Sequence, residues 1–196
     1  MPRCRTRTWV RFMAELRSRD DIIARAVEIT ILTASRTAEV LGAKWSEVDL
    51  ANKVWTIPSP RIKGGKEHRV PLTDRVIEIL RALPREAAND HVFFGTRAAH
   101  RSQRTMLALV QEMRAGLTVH GFRSTFRDWA AETTNYPNHV VEMALAHQIL
   151  NKVEAAYRRG DLFDKRRRLM NEWARFCDKP ARAPASVTPI RKGQAS

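Results

Sequence analysis

The side chains of this 196-residue sequence best suited to chemistry are a tyrosine, a set of cations and two histidines. Metal-free transfer of a phosphodiester needs a nucleophile, cationic donors where charge develops on the non-bridging oxygens, and a proton donor for the leaving oxygen. There are two tyrosines, Tyr136 and Tyr157. Tyr157 lies in Asn151-Lys152-Val153-Glu154-Ala155-Ala156-Tyr157-Arg158-Arg159, where the neighbouring cations favour a phenolate. Alone it reads as an amphipathic side chain with a wet hydroxyl, so it needs partners. In His120-Gly121-Phe122-Arg123 a histidine and an arginine stand three apart, on one side of a helical turn, where both can aim at one phosphate. His147 precedes Tyr157 by ten residues, and Lys63 sits beside Gly64-Gly65. Each has an ordinary reading too: a hydrogen-bonded core histidine and a solvated turn lysine.

These residues need elements to hold them. Trp9, Phe12, Met13 and Leu16 recur on one face of a helix starting near Thr8. Ile22-Ile23, Ala26-Val27 and Ile29 to Leu32 predict a second helix that stops at Thr33-Ala34-Ser35-Arg36, where a Ser or Thr caps a short third helix through Leu41 and places Arg36 near its start. Val54-Trp55-Thr56-Ile57 reads as a strand ended by Pro58 and Pro60. The chain turns at Gly64-Gly65 and returns through His68-Arg69-Val70-Pro71-Leu72, a small hairpin or three-stranded sheet.

Thr73 caps the next helix, with Val76, Ile77, Leu80 and Leu83 on one face and Pro84 as its stop. Met106, Leu109, Val110 and Met113 form the stripe of a helix from Ser102, with Gly116 as its C-terminal cap. Phe122, Phe126 and Trp129 share a face, Asn138 caps Val140 to Leu145, and Asp161 caps a last helix whose Leu162, Leu169, Met170, Trp173 and Phe176 point inward. His91 to Phe94 is too short to classify. After Cys177 the Pro-, Ala- and Arg-containing tail has no periodicity and is expected to be disordered.

Composition narrows the class. Hydrophobic residues at 43% and charged residues at 29% suit one globular domain plus a tail. No apolar run approaches the roughly 20 residues of a membrane span, and the start lacks a secretory signal, so a soluble cytoplasmic protein is expected. The 35 Lys and Arg residues against 21 acids leave +14, and 27 of the 35 are arginine, whose planar fork fits phosphate oxygens. With a pI of about 10.9, this balance points to a polyanion such as nucleic acid. Cys4 and Cys177, one near each end, form neither a zinc site nor a disulfide framework.

Taken in order, Thr33-Ala34-Ser35-Arg36-Thr37-Ala38-Glu39-Val40-Leu41 with Trp45 and Asp49, then Lys63, His120-Gly121-Phe122-Arg123, Leu145-Ala146-His147 and Tyr157 resemble the tyrosine recombinase, or phage integrase, family, most closely the P4-type prophage integrases. The resemblance covers about residues 9 to 177. It implies an α+β, mainly helical catalytic-domain fold with a small antiparallel sheet or hairpin, preceded by an extension over 1–8 and followed by a basic tail over 178–196. It also implies that Tyr157 attacks a DNA phosphate to form a 3′-phosphotyrosyl link and release a 5′-hydroxyl. Arg36 and Arg123 would hold the non-bridging oxygens, Lys63 would protonate the leaving oxygen, and His120 would assist proton transfer from the tyrosine. His147 would donate to the phosphate, and Glu39 would orient these side chains. No metal or nucleotide cofactor is implied. The implied partners are double-stranded DNA at attachment sites and further copies in a DNA-bound tetramer, in which the helix after the nucleophile reaches a neighbour. Family members usually carry an upstream core-binding domain, which this sequence lacks, and often have glycine where Ala146 stands. Two other functions stay open: a non-catalytic remnant that binds DNA or an intact integrase, and a type IB topoisomerase, which the spacing from Leu145-Ala146-His147 to Tyr157 disfavours.

Overall fold

Helix α1 (Thr6–Ser18) opens the chain because Trp9, Phe12, Met13 and Leu16 recur on one face, and all four are buried. A computed structural model describes residues 6–62, 64–95, 100–147 and 160–179 of the chain. Asp21 caps α2 (Ile22–Thr33) by accepting from the backbone N–H groups of Ile23 and Ala24. This helix is buried almost all round and forms the spine against which α1, α4 (Asp74–Ala82), α5 (Gln103–Met113) and α8 (Phe163–Cys177) pack. It ends in a left-handed residue, Ala34, with φ of 50°, and the chain then enters α3 (Thr37–Leu41).

The sheet has three antiparallel strands in the order β1 (Val48–Asp49), β2 (Val54–Ile57), β3 (His68–Pro71). Its register pairs Trp55 with Val70 and Ile57 with His68, so the apolar face of β2 meets the helices while His68 lies at the end of the hairpin next to the loop that joins the two strands. After β3 come α4, α5, α6 (Gly121–Thr133), α7 (Asn138–Ala144) and α8. The expected α+β, mainly helical architecture is the one observed, and the sheet is the three-stranded alternative. Among the described residues no helix is long and apolar enough to cross a membrane.

Trp173 of α8 is fully buried at the centre of the aromatic core. Its ring lies 5.6 Å from Trp9, 5.4 Å from Phe126 and 5.0 Å from Trp129, and its indole N–H donates to the Ile31 carbonyl at 2.8 Å. That bond adds a second donor to a carbonyl at the end of α2 that already accepts from the Ala34 N–H at 3.2 Å. Helix α8 therefore docks on α1, α2, α7 and β3 of its own chain. Its first turn is clasped by Arg166, also buried, which donates to the Asp161 and Arg69 carbonyls at 2.7 and 2.5 Å and to the Asp161 carboxylate at 2.7 Å. Glu28, fully buried in the apolar run of α2, is ion-paired to Arg17, Arg25 and Arg75 and ties α1 and α4 to the spine. Burial pushes its carboxyl up, but the hydrogen bonds from Arg75 and Arg17 outweigh this and hold it below the ordinary carboxylate range.

Several caps differ from the sequence reading. The start of α3 is capped by Glu39, whose carboxylate accepts from the Arg36 backbone N–H at 2.8 Å, and not by a Ser or Thr. Pro137, extended and with φ already near the helical value, takes the cap position of α7, so Asn138 is the first helical residue. Thr73 stands at the cap of α4, yet its buried hydroxyl makes no capping bond. Arg114 ends α5 and Gly116, at φ of 83°, makes the turn beyond it. Leu162 is the cap residue of α8, while the Asp161 carboxylate accepts from the Phe163 N–H at 3.2 Å. Leu109, Leu162 and Phe176 are only partly buried against the core.

Candidate active site

The site is assembled at the C-terminal end of α2, the start of α3, the body of α6 and the turn after α7. Arg36 enters α3 with Glu39 one turn on, and their side chains pair at 2.7 Å. Glu39 is only 3% exposed, so this carboxylate fixes the guanidinium from the protein side while Arg36 itself stays half-buried. Arg36 Nη2 also reaches the Ala146 carbonyl at 3.4 Å.

Arg123 sits one turn into α6, with its side chain held by backbone. Nη1 donates to the Ala34 carbonyl, and Nη2 donates to the Leu145 carbonyl at 2.6 Å and faces His147 Nε2 at 3.2 Å. Among the described residues no carboxylate is hydrogen-bonded to it. Burial, and then the charge of Arg36, lower its pKa to about 10, so it stays cationic at neutral pH. The left-handed turn at Ala34 brings its carbonyl within reach of α6, so the break between α2 and α3 serves both arginines.

The turn after α7 is the meeting point. Ala146 is left-handed, with φ of 50°, where an L-residue is strained and glycine is not. That conformation gives the Leu145 carbonyl to Arg123 and the Ala146 carbonyl to Arg36, and carries the half-exposed His147 ring to lie between Arg123 and Glu142. Glu142 accepts from His147 Nδ1 at 2.6 Å and from Arg127 Nε at 2.7 Å. Burial pushes the Glu142 carboxyl up, but the His147 hydrogen bond and the charge of Arg127 hold it below its ordinary range.

Of the side chains singled out in the sequence, Arg36, Glu39, Arg123 and His147 are thus brought together. His120 stands exposed at the N-terminal end of α6, one helical turn before Arg123. Lys63 and Tyr157 lie outside the described residues, as do Cys4 and residues 180–196 of the tail. The other tyrosine is committed elsewhere: Tyr136 donates to Glu172 at 2.7 Å, and burial followed by that hydrogen bond pushes its pKa up to about 12.

The sequence reading missed Glu142 and His68. Glu142 sits five residues before His147, a spacing at which helical side chains do not face each other, and only the left-handed turn closes the gap. His68, half-buried at the start of β3, hydrogen-bonds the Ala144 backbone and feels the charges of Arg36 and Arg123. Burial, then the nearby Arg166, lower its pKa to about 4, so it is neutral at physiological pH.

Residues 5–162 match the phage integrase family. The chain belongs to that family. Among its curated relatives, prophage integrase IntA of Escherichia coli K12 is 34% identical over 149 residues, covering 74% of this chain and 36% of IntA. The integrase of Shigella phage Sf6 is 32% identical over 80% of this chain and 42% of its own length, and that of enterobacteria phage P4 is 30% identical over 85% and 43%. The chain therefore spans less than half the length of these integrases. In structure, the integrase from mycobacterium phage Brujita aligns over 86% of this chain and 61% of its own with a TM-score of 0.65 at 21% identity. A lambda integrase tetramer bound to a Holliday junction aligns over 72% and 45% with a TM-score of 0.52 at 18% identity. At these identities the likeness is one of fold, which is the integrase catalytic-domain fold.

Proposed function

We propose that this chain carries the catalytic centre of a tyrosine recombinase, cleaving double-stranded DNA at attachment sites for site-specific integration. The observation that carries the reading is the convergence of Arg36, Arg123 and His147 on one turn, with guanidiniums held from behind by Glu39 and by backbone carbonyls. Such donors, gathered in place before the substrate arrives, stabilise charge developing on phosphate oxygens with little reorganisation. Arg36 and Arg123 hold the non-bridging oxygens and His147 donates to the same phosphate. The Tyr157 oxygen attacks phosphorus, with His120 assisting removal of its proton. The bond from phosphorus to the 5′-oxygen breaks as Lys63 protonates that oxygen, leaving a 3′-phosphotyrosyl link.

Chain connectivity is consistent with these roles. Tyr157 lies four residues in sequence before Asp161, which Arg166 ties to the start of β3. Lys63 lies in the connection between β2 and β3, five residues before His68. Residues 9–177 form the catalytic unit, with 1–8 an extension and 178–196 a basic tail. The protein acts in the cytoplasm as a tetramer on DNA.

The test is trapping. Suicide DNA bearing a candidate attachment site is incubated with the purified chain, and a denaturation-resistant adduct is expected that is absent with Tyr157→Phe. Arg36→Ala and Arg123→Ala should each lower adduct formation at least about 10²–10³-fold with the fold retained. Salt-sensitive DNA binding with no adduct, even after an upstream domain is fused on, would make the chain a non-catalytic remnant instead.

A further inference from the structure

The contacts of His147 fix its proton. A carboxylate only accepts, so the 2.6 Å contact with Glu142 places a hydrogen on Nδ1. A guanidinium only donates, so the Nε2 that faces Arg123 Nη2 at 3.2 Å presents a lone pair. The ring is therefore the neutral Nδ1–H tautomer when the site holds no anion. A phosphodiester oxygen is also an acceptor only. For His147 to donate to it, as the proposed function requires, Nε2 must gain a hydrogen while Nδ1 keeps its own.

We propose that His147 takes up one proton from solvent as a DNA phosphate enters, and that Glu142 is the positioning residue that makes this possible. The step is balanced simply: a proton adds to the Nε2 lone pair, Arg123 turns its Nη2 from the ring to the phosphate, and the proton leaves when the phosphate does. Glu142 holds Nδ1–H in place and supplies the countercharge for the imidazolium. It is itself pinned by Arg127 at 2.7 Å, so the ring cannot rotate away without breaking a three-membered array. The groups facing the ring divide by sign. Arg123 from α6 and Arg36 from α3 oppose a second proton, with Arg36 offset by Glu39, and Arg127 offsets part of the Glu142 charge. His68 from β3, against the Ala144 backbone, is neutral. Glu142 and the arriving phosphate favour the proton. An anion that both neutralises the arginines and draws Arg123 off Nε2 thus reverses the balance at the moment the donor is needed.

This inference rests on the reading of the cluster as a phosphate site, and the experiment separates the two. The full chain carrying Tyr157→Phe, labelled with 15N-histidine, is observed by NMR at pH 8 with and without a short duplex DNA, the His147 signals being assigned by their loss in His147→Gln. Free protein should show Nδ1 protonated and Nε2 bare, and the duplex complex both nitrogens protonated. Glu142→Gln should leave the ring neutral in the complex and weaken duplex binding about tenfold, as loss of a charge-assisted hydrogen bond does, with Glu142→Asp restoring uptake. An Nε2–H tautomer in the free protein, a neutral ring beside bound DNA, or full proton uptake in Glu142→Gln would each overturn the proposal while leaving the phosphate site standing. A duplex that does not bind at all would remove the phosphate site, and the proton uptake with it.

Discussion

Acidification should unfold this protein partly through His68. Its pKa falls from the usual 6.5 to about 4 on folding, because burial and then Arg166 penalise the imidazolium. The folded value lies below the unfolded one, so between pH 6.5 and 4 the unfolded chain binds more protons, and stability is lost as pH falls through that window. For a single group with these two pKa values, the loss between pH 7.5 and pH 5 is about 2 kcal/mol. The ring is only half-buried, and solvent screening reduces this to about 1–2 kcal/mol. The assay is urea denaturation at pH 7.5, 6.5 and 5 for the parent chain and His68→Gln, whose amide still has a hydrogen-bonding group for the Ala144 backbone. Every other titratable group is common to the two proteins, so the difference between their pH slopes isolates His68. Parallel slopes would refute the reasoning, since the imidazole would then titrate alike in the folded and unfolded chains.

Three further outcomes are expected. Ala146→Gly should stabilise the fold by about 0.5–1 kcal/mol, because the relief of a left-handed alanine exceeds the added chain entropy of glycine; a lowered urea midpoint would contradict it. Trp173→Ala should cost about 3–5 kcal/mol by opening a cavity among Trp9, Phe126 and Trp129 and removing one of the two donors to the Ile31 carbonyl, and a loss below about 1 kcal/mol would mean that α8 is not docked this way. Arg166→Leu should cost about 2 kcal/mol and speed amide hydrogen exchange at the start of α8, because the Arg69 and Asp161 carbonyls lose their donor; unchanged exchange there would discount the clasp.

What the sequence disclosed follows from the range of each interaction. Helical faces such as Trp9, Phe12, Met13 and Leu16 were legible because burial imposes the 3.6-residue period directly on residue type. Arg36, Arg123 and His147 were legible as members of an ordered set of motifs, although nothing local to each shows that it meets the others. Glu142 and His68 were not legible, since one depends on a backbone turn made by an alanine and the other on where a strand end comes to rest against Ala144. The cap of α3 was misread for a related reason: Ser35 and Thr33 have the customary chemistry, but Glu39 reaches back to the Arg36 amide and takes the role. Glu28 stood hidden in an apolar run because its three arginine partners come from α1, α2 and α4.

The arginines of the site lean on the carbonyls of Ala34, Leu145 and Ala146. A carbonyl belongs to the main chain whatever side chain it carries, so a systematic alanine scan is blind to these supports, and two of the three positions are alanine already. Tolerance of side-chain exchange at 34, 145 and 146 would therefore be no measure of their importance. The informative perturbations are those that alter the main chain itself: an amide-to-ester replacement that weakens one carbonyl as an acceptor, or a residue that forbids the left-handed turn at 34 or 146.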